Sequence, residues 1–252
     1  SIYYNSATPH GMIAVGGREC LFVAVVLPGE GAADTAELHA SIVEARKSED
    51  FVCNRFIQTR EDERGALAGV TFVNADQFNF AFDIVDEIAK KSPEKLAMLH
   101  VDTDGVERRF TFEDMRRASN RCANYFRSLG VQKGDRVMLV LKRHYQFWFA
   151  MLALHKIGAV AIPATYQLQA HDFTYRFQAA DVSAILCTAD GDVARQAEIG
   201  WEGCPDLKLR LIVGGRREGW RNFDEEYPRF SSRFDRSADA IAGDDPMLMF
   251  FT

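Results

Sequence analysis

Between residues 136 and 213, short apolar runs of strand length alternate with longer runs of helical spacing, and that alternation leaves few folds open. Arg136 to Leu141, Ala159 to Pro163, Ala184 to Cys187 and Leu209 to Val213 are the short runs. Runs of this length without polar alternation are expected where a strand is buried on both faces. Tyr145 to Lys156, His171 to Ala180 and Val193 to Ile199 lie between them, and Phe173 and Phe177 share one side of the second. Strands joined through helices run parallel, and right-handed crossovers put helices on both faces of the sheet. The predicted fold class is α/β: a doubly wound, largely parallel sheet flanked by helices.

The residues ahead of this pattern have a different texture. Ile84, Ile88 and Ala89 mark one face of a helix that ends near Lys90 and Lys91, where Ser92-Pro93 breaks it. Leu96 to Val101 and Arg109 to Phe112 flank an Asp104-Gly105 turn and form a predicted hairpin. Thr111, with Asp114 three residues on, caps a helix whose inner face carries Met115, Ala118, Cys122 and Phe126, and Gly130 closes it. Residues 1–73 form a small α+β segment of no evident chemistry. In it, Cys20 to Leu27 is an expected strand and Pro28 to Gly31 a turn. Asp34 and Glu37 begin a helix with Leu38, Ile42 and Val43 on one stripe. Phe51 to Ile57 is a further strand, and Thr59 to Gly65 a solvated loop. The chain therefore divides into residues 1–73 and residues 74–252.

Composition narrows the function classes. A formal charge of −6 over 252 residues makes a poor polyanion binder, so nucleic acid is not an expected partner. Small anions are still accessible through local cations and helix N-termini. The five cysteines, Cys20, Cys53, Cys122, Cys187 and Cys204, form no CxxC pair, and their odd number argues against a disulfide framework. Reduced cysteines suggest a cytoplasmic setting. The six histidines show no metal-ligand spacing. No apolar stretch reaches the length of about 18 residues that a transmembrane helix needs. Ser1 to His10 lacks the basic and apolar regions of a signal peptide.

Generic nucleotide motifs are missing: there is no GxGxxG after a strand and no P-loop GxxxxGK[ST]. No GxSxG nucleophile elbow is present. Lys142-Arg143-His144 follows a strand and precedes an apolar helix, at the carboxyl end of a parallel strand, where open α/β folds bind ligands. Such a group can meet an anion, and its ordinary alternative is a solvated loop. Asp190-Gly191-Asp192 has the form of a turn and helix cap, with Arg195 in the first turn beyond it. A cation there opposes the helix dipole. That fits a ligand contact or an ordinary surface arginine. Gly214-Gly215 reads as a plain turn.

Several phrases in order are more specific than any one of them. Asn79 to Asp86, Arg109 to Asp114 and Gly134-Asp135-Arg136-Val137 resemble the opening of AMP-forming acyl-CoA synthetases. Leu154 to Val160, with Ile162-Pro163-Ala164-Thr165, resembles the "GA-V-P" segment of that family. Cys204 to Leu207 and Gly219-Trp220 are similar to its medium-chain and acetyl-CoA synthetase-like branch. Asp244-Asp245-Pro246 and Met249 to Thr252 resemble the strand that runs into its phosphate loop. That loop continues Ser-Gly-Thr-Thr-Gly-x-Pro-Lys in the family, so the chain is expected to be an N-terminal portion truncated there.

The resemblance implies a two-step reaction. A small carboxylic acid attacks the α-phosphate of ATP, giving an acyl-adenylate and pyrophosphate, and the CoA thiol then displaces AMP. It implies ATP, Mg²⁺ and CoA, with Thr252 as the first residue of the phosphate motif. Arg195 lies close to the position from which some relatives meet the CoA 3′-phosphate. It implies no catalytic residue within this chain, and the isolated chain is expected to be inactive. Two alternatives stay open: a non-catalytic CoA- or protein-binding module on the same fold, and an unrelated doubly wound nucleotide binder.

Overall fold

A computed structural model describes residues 52–64, 66–204, 207–237 and 245–251. The strand, turn and helix expected within residues 1–51, and Thr252, lie outside the described residues. Val52–Arg55 is one 3-10 turn rather than part of a strand. Strands β1 (Ile57–Glu61) and β2 (Leu67–Phe72) follow as an antiparallel hairpin. Residues Thr59 to Glu61, expected in a loop, therefore belong to a strand. The reason is local: Asp62 Oδ1 accepts the backbone N–H groups of Arg64 and Ala66, both at 2.9 Å, and this side-chain-built turn pairs the charged residues before it.

Ala81–Asp86 winds as a π-helix and runs into α1 (Glu87–Lys91), with Ile84, Ile88 and Ala89 buried as their spacing required. Strands β3 (Leu96–Val101) and β4 (Glu107–Thr111) form the predicted hairpin. Asp102 Oδ1 braces its turn through the N–H groups of Asp104 and Val106. Helix α2 (Phe112–Ser128) opens with a reciprocal capping box between Thr111 and Asp114. It closes at Gly130, whose φ of 87° suits a residue without a Cβ.

The main sheet uses β5 (Arg136–Val140), β6 (Val160–Pro163), β7 (Val182–Thr188), β8 (Leu209–Val213) and β9 (Arg221–Asn222). Helices α3 (Gln146–Ile157), α4 (Ala170–Ala179) and α5 (Val193–Trp201) connect the first four, and α6 (Phe223–Glu226) follows the last. The spatial order is β6-β5-β7-β8-β9, and every pairing is parallel. Leu248 adds a parallel bridge to Ala161, so the returning chain lies along the outer edge of β6.

Each strand feeds two cores in alternation. Val137 and Leu139 of β5 join Phe126, Phe149 and Leu154 on the α2–α3 side. Met138 and Val140 join Phe173, Phe177 and Ala197 on the α4–α5 side. This is the doubly wound α/β sheet that the sequence pattern predicts. Burying a large side chain such as Phe173 contributes roughly 1.5–3 kcal/mol. Gly200 lets α4 and α5 approach closely, since a Cβ there would lie 2.6 Å from both the Ala170 oxygen and Phe173 Cβ.

Candidate functional site at the carboxyl rim of the sheet

The strand order locates the site. After β5 the chain crosses to β6 on one side, and after β7 it crosses to β8 on the other. The connections leaving these two neighbouring strands thus diverge, and a crevice opens beyond their carboxyl ends. Two loops line it: Lys142 to Tyr145 after β5, and Ala189 to Asp192 after β7.

Side chains meet across this crevice. Lys142 Nζ lies 3.8 Å and His144 Nε2 3.9 Å from Asp190 Oδ2. Both separations exceed a strong charge-assisted hydrogen bond. The Lys142 ammonium also sits 5.2 Å from the centre of the Tyr166 ring, which follows β6. Asp190 is half exposed and Lys142 one-third exposed, so solvent and solutes reach both. Thr188 Oγ1 accepts the Asp190 N–H at 3.0 Å and lies 3.5 Å from His144 Nε2. Gly214, after β8, completes the wall. A Cβ there would stand 3.3 Å from His144 Nε2, and its φ of 81° is left-handed. The Gly214 N–H donates to Asp224 at 2.8 Å, and the other oxygen of Asp224 accepts from Gln146 at 2.7 Å.

Burial pushes His144 below the ordinary histidine range, although Asp190 and Asp224 pull it back. Thr188 and Asp190 both face its Nε2, while Nδ1 is buried without a partner. A nucleophile–base–acid relay needs partners on opposite ring nitrogens. The Thr188–His144–Asp190 geometry is therefore not that of such a relay. Among the described residues, no group of three His, Cys, Asp or Glu side chains is placed to hold a metal ion.

The structure separates the residues singled out from sequence. Lys142 and His144 do reach the crevice. Arg195 stands in the first turn of α5, largely exposed, with Nη1 3.7 Å from Asp192 Oδ1. Asp192 does not cap α5 with its side chain. It holds Gln196 instead, at 2.7 Å. In α3, Phe149 is buried and Trp148 is partly exposed. Sequence reasoning missed Asp190 as a counter-ion, Tyr166 and Asp224. Only Asp224 had a local signal, because Asn222 accepts the Glu225 N–H and so announces the short helix that carries Asp224.

Residues 85–252 match the family described as AMP-binding enzyme, which is more than half of the chain. The chain belongs to the AMP-binding enzyme family. The chain is 36% identical over 178 residues to mouse acyl-coenzyme A synthetase ACSM5, mitochondrial, covering 66% of the chain and 30% of the relative. It is 34% identical over 184 residues to the human protein of that name, covering 70% and 31%. A solved acyl-CoA synthetase of Brucella canis superposes with a TM-score of 0.60 at 19% identity, over 73% of the chain and 32% of that structure. An anthranilate CoA ligase, AuaEII, in complex with anthranoyl-AMP, gives 0.58 at 18%, over 69% and 32%. The AMP-binding chain thus spans about a third of the length of the relatives it matches.

One expectation is corrected here. The relatives are named as mitochondrial, which points away from the cytoplasmic setting inferred from cysteine usage. An odd cysteine count without CxxC pairs argues against a disulfide framework, but it does not distinguish one compartment with reduced thiols from another. Cys122, Cys187 and Cys204 are buried, and burial pushes the Cys187 thiol up to about 12. Their chemistry is that of small core residues.

Proposed function

We propose that this chain supplies the first part of an ATP-dependent acyl-CoA synthetase, in which a carboxylic acid becomes an acyl-adenylate and then a CoA thioester. The observation that carries this reading is the cationic rim at the switch point between β5 and β7, in a chain of the AMP-binding family. Such a rim suits a substrate rich in phosphate. Adenylation turns a carboxylate oxygen into a good leaving group, and the protein has to balance phosphate charge as it shifts. On this reading Lys142 supplies a point charge with three donors, and the Tyr166 face offers a surface for a flat ring.

Arg195 belongs to the proposal as a second cation for an anionic group of CoA. Its exposure and its single long ion pair with Asp192 leave it able to turn toward a ligand. Thr252 is proposed as the first phosphate-contacting hydroxyl. The division of the chain at residues 73 and 74 is likewise a proposal. The Mg²⁺ expected for this chemistry finds no fitting donor set among the described residues.

Because the chain spans about a third of its relatives, the isolated chain is expected to catalyse no acid-dependent ATP–pyrophosphate exchange. Exchange assays with short- and medium-chain acids test this. Robust acid-dependent exchange would show that the described fold carries the chemistry alone. Titration calorimetry with CoA tests the rim separately. A saturable heat for the wild type that Lys142→Ala weakens supports the reading, and equal heats for both proteins oppose it.

A further inference from the structure

The loop that carries Lys142 and His144 is held from outside the main sheet. His100, in β3, brings Nε2 to 2.7 Å from the carbonyl oxygen of Arg143. A carbonyl only accepts, so Nε2 carries a proton. Nδ1 is buried and has no hydrogen-bond partner. The ring meets Tyr145 edge-on, with centroids 5.3 Å apart. Tyr145 in turn packs on Phe110 of β4 at 5.0 Å and on Phe149 of α3 at 5.4 Å.

Two arguments give this bond a role. The first is position. The Arg143 carbonyl belongs to the peptide that joins Arg143 to His144, between the Lys142 and His144 side chains of the rim. Fixing that peptide fixes the direction from which His144 leaves the loop, and it limits the turn that sets Lys142 over Tyr166. The second is cost. A buried ring nitrogen without a partner is unfavourable, and an apolar aromatic on a strand would pack on Tyr145 without that cost. The bond from Nε2 is what a histidine gains there.

We infer that His100 is a positioning residue: it latches the hairpin to the Arg143 carbonyl and so orients the Lys142–His144 loop for an anionic substrate. The substrate part rests on the function proposed above. The orientation part does not.

The test uses the full chain. His100→Phe keeps the ring packing and removes the bond, while the amide of His100→Gln reaches the same carbonyl. The first readout is the ring titration of His144 by NMR, which Asp190, Asp224, Lys142 and His100 all influence. The second is CoA binding by calorimetry, and the third is the unfolding midpoint. His100→Phe is expected to shift the His144 titration and weaken CoA roughly five- to tenfold, the size of one hydrogen bond. His100→Gln restores CoA binding, with unfolding midpoints close to wild type, and its His144 titration differs from that of His100→Phe, both variants lacking the His100 charge. His144 titrations that coincide in His100→Phe and His100→Gln overturn the latch. If His100→Phe does not fold, His100→Asn, whose shorter amide falls short of the carbonyl, makes the same comparison against His100→Gln. If CoA binds wild type and Lys142→Ala equally, the reading of the rim fails, and the His144 titration still decides the latch.

Discussion

Helix α3 has one lysine just ahead of it and another in its last turn, and the two occupy different physical regimes. Lys156 is fully buried. Its three N–H groups meet Asp86 at 2.8 Å, Ser119 at 2.9 Å and Asn120 at 2.7 Å, and Phe82 lies beneath it at 5.4 Å. Every donor has an acceptor, and the set ties the π-helical segment and α2 to α3. Lys142 has a carboxylate at 3.8 Å and a ring at 5.2 Å, and water reaches it. A cation with its donors saturated can only hold the fold. A cation held loosely at the mouth of a crevice is free to exchange its partner for a ligand. Hydrogen-bond saturation, rather than charge, separates a lysine that can only hold the fold from one that a ligand can reach.

The sharpest way to break this contrast is to remove the buried lysine. Burial pushes the Lys156 ammonium down and the Asp86 carboxyl up from their ordinary values, and mutual attraction offsets this only in part. Lys156→Met leaves Asp86 buried and unpaired, which costs about 3–5 kcal/mol. Adding Asp86→Leu removes the stranded charge and is expected to recover most of the loss. Urea unfolding midpoints at constant slope measure both variants. A single variant within about 1 kcal/mol of wild type would show that the network is not the pin described here, since breaking a buried pair has to cost more.

The residue next to Lys156 makes the seam sensitive to acid. His155 is buried with both ring nitrogens unpartnered, and burial alone pushes it down to about 4. No charged group contributes to that shift. Asn79 Nδ2 donates to the backbone carbonyl of His155 at 2.9 Å and not to its ring, and the Phe80 ring stands edge-on at 6.5 Å. The unfolded chain takes up its proton near pH 6.5, the folded chain only near pH 4. Between those values the unfolded state binds more protons, so this residue lowers stability as pH falls through the window and has no effect above it. The expected loss is about 3 kcal/mol by pH 4. His155→Phe should flatten the pH dependence of unfolding in that window. Equal slopes for wild type and variant would remove His155 as the cause.

The sheet was legible in the sequence because burial on both faces leaves unbroken apolar runs. All four strands read from residues 136–213 are present, with ends within two residues of expectation. The capping box at Thr111 was legible because it is local chemistry. Elements specified by hydrogen-bond partners rather than burial were not. The charged end of β1, the two-residue β9 and the π-winding of Ala81–Asp86 carry no apolar period of their own. The site was legible only in part, for a related reason. Lys142 and His144 stood out as part of a basic run after a strand. Their convergence on Asp190 depends on the order β6-β5-β7, which arises from tertiary packing and is not written in any local run.

The smallest expected stability effect falls on the other lysine. Lys142 is partly exposed and its ion pair is long, so Lys142→Ala should change unfolding by no more than about 0.5 kcal/mol. Its effect should appear in ligand affinity and salt dependence instead, because a lost point charge weakens attraction for an anion at every ionic strength but most at low salt. Asp190→Asn sharpens the same point from the opposite side. It removes the internal carboxylate that now faces Lys142 and His144, so an added phosphate-bearing ligand no longer competes with it. Calorimetry with CoA at low and moderate salt is expected to show weaker binding for Lys142→Ala and tighter binding for Asp190→Asn, with unfolding midpoints close to wild type. If Lys142→Ala instead lost stability on the scale of Lys156→Met, both lysines would be structural, and saturation of hydrogen bonds would no longer tell the two regions apart.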